Sequence, residues 1–134
     1  GFKALEGTER ILVLEDEQQV LKIIEVMLSR RGYRVLTAAD RENALSHGRA
    51  CPGSIDLFIT DIGIPDSNCR EIWDTVREGN PNCRVLFISG YPEDFAPLED
   101  LSDGTNIFLQ KPFGSEVLLT RVREILDSRS DHFA

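Results

Sequence analysis

Short, almost unbroken apolar runs alternate along this chain with longer stretches in which apolar residues recur every three or four positions. Runs of the first kind read as buried strands, and stretches of the second kind as amphipathic helices. Arg10–Leu14 (RILVL) is the first run, stopped by the charged Glu15-Asp16-Glu17. Over Gln18–Arg30, Val20, Ile23, Ile24, Met27 and Leu28 fall at helical spacing, and Gly32 provides the stop. Tyr33–Thr37 predicts a second strand, and Asp40 caps a weaker second helix reaching about Gly48. Pro52-Gly53 breaks the chain before a third strand, Ile55–Thr60 (IDLFIT), which ends at Asp61. A third helix over Asn68–Glu78 turns Ile72, Trp73 and Val76 to one face, and Arg84–Ser89 (RVLFIS) forms a fourth strand. Pro92–Leu101, polar and carrying Pro97, predicts a short or irregular fourth helix. Ile107–Leu109 is the core of a fifth strand ended by Lys111-Pro112. Ser115–Asp127 is the last helix, with Leu118, Val122, Ile125 and Leu126 in phase. Residues 1–8 read as linker, 9–128 as one folded domain and 129–134 as tail.

Five strands alternating with about five helices predict an α/β domain built on an open parallel sheet covered on both faces. The strands themselves agree, because a parallel sheet is buried on both sides and its strands are apolar throughout. With 134 residues, 41% of them hydrophobic, the chain buries an adequate core without disulfide or metal. Cys51, Cys69 and Cys83 lack CxxC spacing, and His47, expected at the surface, lies far from His132 in the tail. A zinc site and a disulfide framework are both disfavoured, and a reducing, cytoplasmic setting is expected. Trp73 and Tyr33 read as packing residues. A net charge of −8 argues against nonspecific binding to nucleic acid or an anionic membrane. The chain opens on Gly1 rather than methionine, which reads either as a domain cut from a longer protein or as a residue left from its preparation.

Ligands of such sheets bind beyond the carboxyl ends of the strands, where the strand order reverses. There the sequence places Glu15 and Asp16, Asp61, Ser89 and Lys111, each following a different strand or, for the acidic pair, the same one. Three carboxylates in one pocket repel one another unless a cation lies among them. Oxygen ligands alone favour a hard ion, best Mg²⁺, with Mn²⁺ as an equivalent. Such an ion would hold a phosphoryl group, with Lys111 and the Ser89 hydroxyl completing the contacts. Glycines or hydroxyls that could cradle a dinucleotide after strand one are missing, and Glu15-Asp16-Glu17 would repel its phosphates. A Walker-type loop is also absent. Aspartate-dependent phosphatases usually carry a second aspartate two residues after the nucleophile; here Gln18 follows Asp16 and Gly63 follows Asp61.

The ordered set Glu15-Asp16, Asp61 with Ile64-Pro65, Ser89-Gly90 and Lys111-Pro112-Phe113 resembles the receiver domain of two-component response regulators, over about residues 9–128. The wording ILVLEDE, LFISGY and FLQKPF is similar to the receivers at the carboxyl ends of hybrid histidine kinases. The resemblance implies a flavodoxin-like, doubly wound sheet of order 2-1-3-4-5 and a signalling module rather than an enzyme. It implies Asp61 as phosphoacceptor, with a histidine kinase or histidine phosphotransfer protein as partner. Small-molecule phosphodonors and a homodimer are compatible with it. Asp16, Asp61 and the backbone carbonyl of Gly63 would ligate Mg²⁺, with Glu15 acting through a metal-bound water. Lys111 would pair with Asp61 and then with the phosphoryl group, aimed by a cis peptide to Pro112. Ser89 and Phe108 would form the switch that remodels the surface of the fourth helix, fifth strand and fifth helix. Phe108 lacks the hydroxyl of a tyrosine there, and Gly63 and Tyr91 flank the water that would hydrolyse the phosphate. Two other readings compete: a phosphorylation-independent docking or dimerisation module of the same fold, and a Mg²⁺-dependent small-molecule phosphatase.

Overall fold

The computed structural model describes residues 5–50, 52–65 and 67–128. Five parallel strands, β1 (Arg10–Leu14), β2 (Arg34–Ala38), β3 (Leu57–Asp61), β4 (Arg84–Ser89) and β5 (Phe108–Gln110), form one sheet in the order β2-β1-β3-β4-β5. Between them run the helices α1 (Gln18–Ser29), α2 (Arg41–Ala50) and α3 (Cys69–Gly79), then a 3-10 helix (Pro92–Leu101), and α4 (Ser115–Asp127) closes the fold. This is the open parallel sheet covered on both faces that the pattern predicts, in the strand order that the resemblance implies.

Successive side chains of a strand point to opposite faces, so an all-apolar strand serves two cores. Ile11 and Val13 of β1 join Ile59, Leu86 and Ile88 beneath α1 and α4, whose Ile24, Leu28, Leu118, Val122 and Ile125 complete that layer. Leu12 and Leu14 turn the other way, with Phe58, Phe87, Ala44, Ile72, Trp73, Val76 and Leu98 of α2, α3 and the 3-10 helix. Phe58 and Trp73 stack with ring centroids 6.4 Å apart. Tyr33 is buried against the α1 and α4 layer, as a packing residue should be.

The boundaries shift where side chains capture backbone groups. Ile55, expected in the third strand, gives its N–H to Asn80 Oδ1 at 3.1 Å, and the strand begins at Leu57. Asn68 caps α3 rather than opening it, accepting from the N–H groups of Arg70 and Glu71. α2 runs two residues past Gly48, to Ala50, and β5 lies one residue later than expected. Pro97 sits inside the 3-10 helix, where Arg70 of α3 reaches the Pro97 carbonyl and the Asp100 carboxylate. From Leu5 on, the stretch read as linker is tied down. Leu5 packs on the α1 and α4 layer, and Gly7 donates to the Arg31 carbonyl at 3.1 Å. His47 is half-buried, its Nε2 3.1 Å from the Thr37 carbonyl oxygen, rather than on the surface. Cys51, His132 and the tail lie outside the described residues. No helix among the described residues is long and apolar enough to cross a membrane.

Candidate functional site

The strand order reverses between β1 and β3, which both leave the sheet centre toward the same edge. Leu14 is paired with Thr60, so the next residue of each strand, Glu15 and Asp61, falls level with the other. Asp16 follows on the loop. One carboxylate oxygen each from Glu15, Asp16 and Asp61 lies within 4.8 Å of the other two. Lys111 comes from the end of β5, its backbone N–H held by the Ser89 carbonyl at 2.8 Å. Its Nζ donates to Asp61 Oδ2 at 2.6 Å and to Glu15 Oε1 at 2.7 Å. The Lys111-Pro112 peptide is cis, and Pro112 itself is exposed. Residues 96 positions apart in sequence, Glu15 and Lys111, thus meet in one cluster.

Glu15 is the buried member of the cluster, 2% exposed. Burial pushes its carboxyl up to about 7, against the opposing pull of the Lys111 hydrogen bond and of the Glu17 N–H, which reaches Oε2 at 3.1 Å. Burial also works against the Lys111 ammonium, but the hydrogen bonds to Asp61 and Glu15 outweigh it, and its pKa is raised. Asp61 Oδ1 accepts the Gly63 N–H at 2.8 Å. A Cβ at Gly63 would stand in ordinary contact, 3.5 Å, with that same oxygen. The ammonium already acts as a counter-cation among the carboxylates. The donor set is all oxygen, with exposed Asp16 on the open side, and such a set fits a hard divalent ion such as Mg²⁺.

Ser89 ends β4 and is 2% exposed. Its hydroxyl donates to Asp94 Oδ2 at 2.7 Å and accepts the Tyr91 N–H at 3.1 Å. The Tyr91 ring is exposed. Phe108 is half-buried between Phe87 and Phe95, at centroid distances of 6.1 and 4.9 Å. Sequence reasoning missed Asp94 and Phe95. Asp94 lies in a polar segment with Glu93, Glu99 and Asp100, and nothing in that pattern separates it from a solvated charge.

A recess of about 880 Å³ lies at the opposite, amino-terminal edge of the strands, among Trp73, Arg77, Arg84, Ile107 and Arg123. Its three arginines are engaged by Asp74, Asp103 and Glu9. The convergent chemistry sits at the carboxyl edge instead.

Known proteins share the sequence and the fold that carry this edge. The sequence pattern of the response regulator receiver domain matches residues 11–123. The chain belongs to that family. Its sequence is 31% identical over 125 residues to the sensor kinase CckA of Brucella abortus, covering 93% of this chain and 13% of the kinase. It is 30% identical over 118 residues to the alkaline phosphatase synthesis transcriptional regulatory protein PhoP of Bacillus subtilis, covering 88% of this chain and 48% of the regulator. The receiver thus spans a small part of the one relative and about half of the other. The crystal structure of the receiver domain of the hybrid histidine kinase CckA superposes with a TM-score of 0.74 at 35% identity, covering 87% of this chain and 98% of that one. A response regulator receiver domain protein from Clostridium thermocellum superposes with a TM-score of 0.78 at 25% identity, covering 91% and 97%. As a receiver domain, the chain is a two-component signalling module.

Proposed function

We propose that this receiver takes a phosphoryl group onto Asp61 from a phosphohistidine on a histidine kinase or histidine phosphotransfer protein, in a Mg²⁺-dependent reaction. The observation that carries the reading is the position of Asp61. It ends β3 among three gathered carboxylates, with one oxygen on the Lys111 ammonium and the other on the Gly63 N–H. A carboxylate oxygen of Asp61 forms the new P–O bond as the P–N bond of the donor breaks, and its electron pair leaves with the imidazole nitrogen. Lys111, now divided between Asp61 and Glu15, turns its positive charge to a phosphoryl oxygen, and the Ser89 hydroxyl donates to another. Asp16, Asp61, the Gly63 carbonyl and, through water, Glu15 would hold Mg²⁺, which supplies neutralising charge at the transferring group. As Ser89 moves inward, Phe108 gains room to turn, and the surface of the 3-10 helix, β5 and α4 presents itself differently to a partner protein.

The test is to incubate the chain with Mg²⁺ and acetyl phosphate, or with a phosphohistidine donor, and to weigh it. A mass gain of about 80 Da that Asp61→Asn abolishes is the expected result. No adduct from either donor overturns the reading in favour of a phosphorylation-independent docking module. Sustained release of phosphate from varied esters would overturn it in favour of a phosphatase.

A further inference from the structure

Ser89 and Asp94 make a contact that neither the fold nor the acceptor site requires. A serine hydroxyl carries a single proton. Here that proton goes to Asp94 Oδ2 at 2.7 Å, while the oxygen accepts from Tyr91. The hydroxyl is therefore unable to donate to a phosphoryl oxygen while Asp94 holds it. Two anions, one supplied by the chain and one by the donor, compete for one proton.

Asp94 is also well placed to pass on the outcome. Its own N–H is bonded to the Tyr91 carbonyl at 3.0 Å, which fixes the first turn of the 3-10 helix. Phe95, the next residue, lies 4.9 Å from the Phe108 ring. The far half of the same helix is anchored separately, by buried Leu98 and by the Arg70–Asp100 pair on α3. Release of Asp94 frees only the near half, the part that covers Phe108.

We propose that Asp94 is a positioning residue that holds the Ser89 hydroxyl away from the acceptor site in the unmodified state, so that the phosphoryl group must displace it and thereby loosens Phe95 from Phe108. The inference rests on the reading of Asp61 as acceptor. The carboxylate sets the threshold of the switch: by stabilising the resting state it lowers the affinity for the phosphoryl group by the same free energy.

The experiment uses the full chain with Mg²⁺ and beryllofluoride as the phosphoryl mimic, and acetyl phosphate as donor. Replacing Asp94→Ala should raise beryllofluoride affinity, read by calorimetry, by about three- to tenfold, the range set by one charge-assisted hydrogen bond at a part-exposed position. The metal-free protein should melt lower, while its shift on adding beryllofluoride grows. Asp94→Asn keeps an acceptor without the charge and should fall between, which also covers a failure of Asp94→Ala to fold. In a Ser89→Ala background, Asp94→Ala should have no further effect on affinity, because the coupling runs through the hydroxyl. Glu93→Gln removes the same charge one residue away and should leave affinity unchanged. Equal affinities in wild type and both Asp94 variants overturn the proposal, as does a gain that persists without Ser89 or appears equally in Glu93→Gln. A wild type that binds beryllofluoride, or is phosphorylated, with flat Asp94 variants overturns this inference alone. A wild type that does neither overturns the acceptor reading as well.

Discussion

Replacing Lys111→Met isolates the electrostatic problem at the centre of the site. The ammonium makes two short charged hydrogen bonds, to Glu15 and Asp61, whose side chains are 2% and 12% exposed. Methionine keeps most of the apolar stem and removes the ammonium, its charge and its two hydrogen bonds together. Two carboxylates within 4.8 Å of each other then repel by about 3.5 kcal/mol at an effective dielectric of 20. Removing one partner of a buried pair costs roughly 3–5 kcal/mol, and the 24% exposure of Lys111 lets water soften that. Glu15, already pushed up to about 7, takes up a proton in the variant and caps the loss. The net expectation is a destabilisation of about 2–3 kcal/mol at pH 8, a fall in Tm of roughly 6–12 °C for a domain of this size. Thermal unfolding followed by circular dichroism in EDTA reads it. Millimolar Mg²⁺ should recover more of the Tm in the variant than it adds to wild type, because a divalent ion takes over the lost neutralisation. A variant that melts with wild type in EDTA, or gains nothing from Mg²⁺, would refute the premise that Lys111 compensates these carboxylates.

Two further outcomes bear on the scaffold. Asn80, 1% exposed, accepts the Ile55 N–H and donates to the carbonyls of Val76 and, more weakly, Gly48. Asn80→Ala strands those groups and should cost about 2–4 kcal/mol in urea unfolding; a loss under about 1 kcal/mol would mean that the backbone finds other partners. Glu9, gripped by Arg123 at 2.7 Å, has its carboxyl held below its ordinary 4.5 chiefly by that hydrogen bond. Its folded pKa lies below its unfolded one, so its contribution is present above about pH 4.5 and is lost as pH falls through the folded value. Glu9→Gln should accordingly melt lower than wild type at pH 7, with the gap narrowing as pH falls below 4.5 through the folded value; a gap that does not change on acidification would show that the loss is packing and not charge.

Much of the fold and of the site is legible from residue order. Strands apolar at every position, such as Leu57–Ile59 and Val85–Ile88, have no polar face to leave in water, which demands a sheet covered on both sides. Once the strands are parallel, the residues that follow Leu14, Thr60, Ile88 and Gln110 must share one edge, so Glu15, Asp16, Asp61, Ser89 and Lys111 could be assigned together. Boundaries were less legible, because a polar side chain such as Asn80 or Asn68 captures backbone groups according to where distant elements pack.

What residue order could not decide is which partner each polar group takes. Hydrophobic burial is set by composition along an element and repeats with its period, so it leaves a trace in the sequence. A hydrogen bond depends on the meeting of two particular atoms to within a few tenths of an ångström, and leaves none. Thus the division of the Lys111 ammonium between Glu15 and Asp61, the Phe95 ring against Phe108 and the hydrogen bond that the Ser89 hydroxyl donates to Asp94 belong to the tertiary structure. Each arises where chain segments far apart, or a short turn of unpredictable path, are brought into register by the sheet.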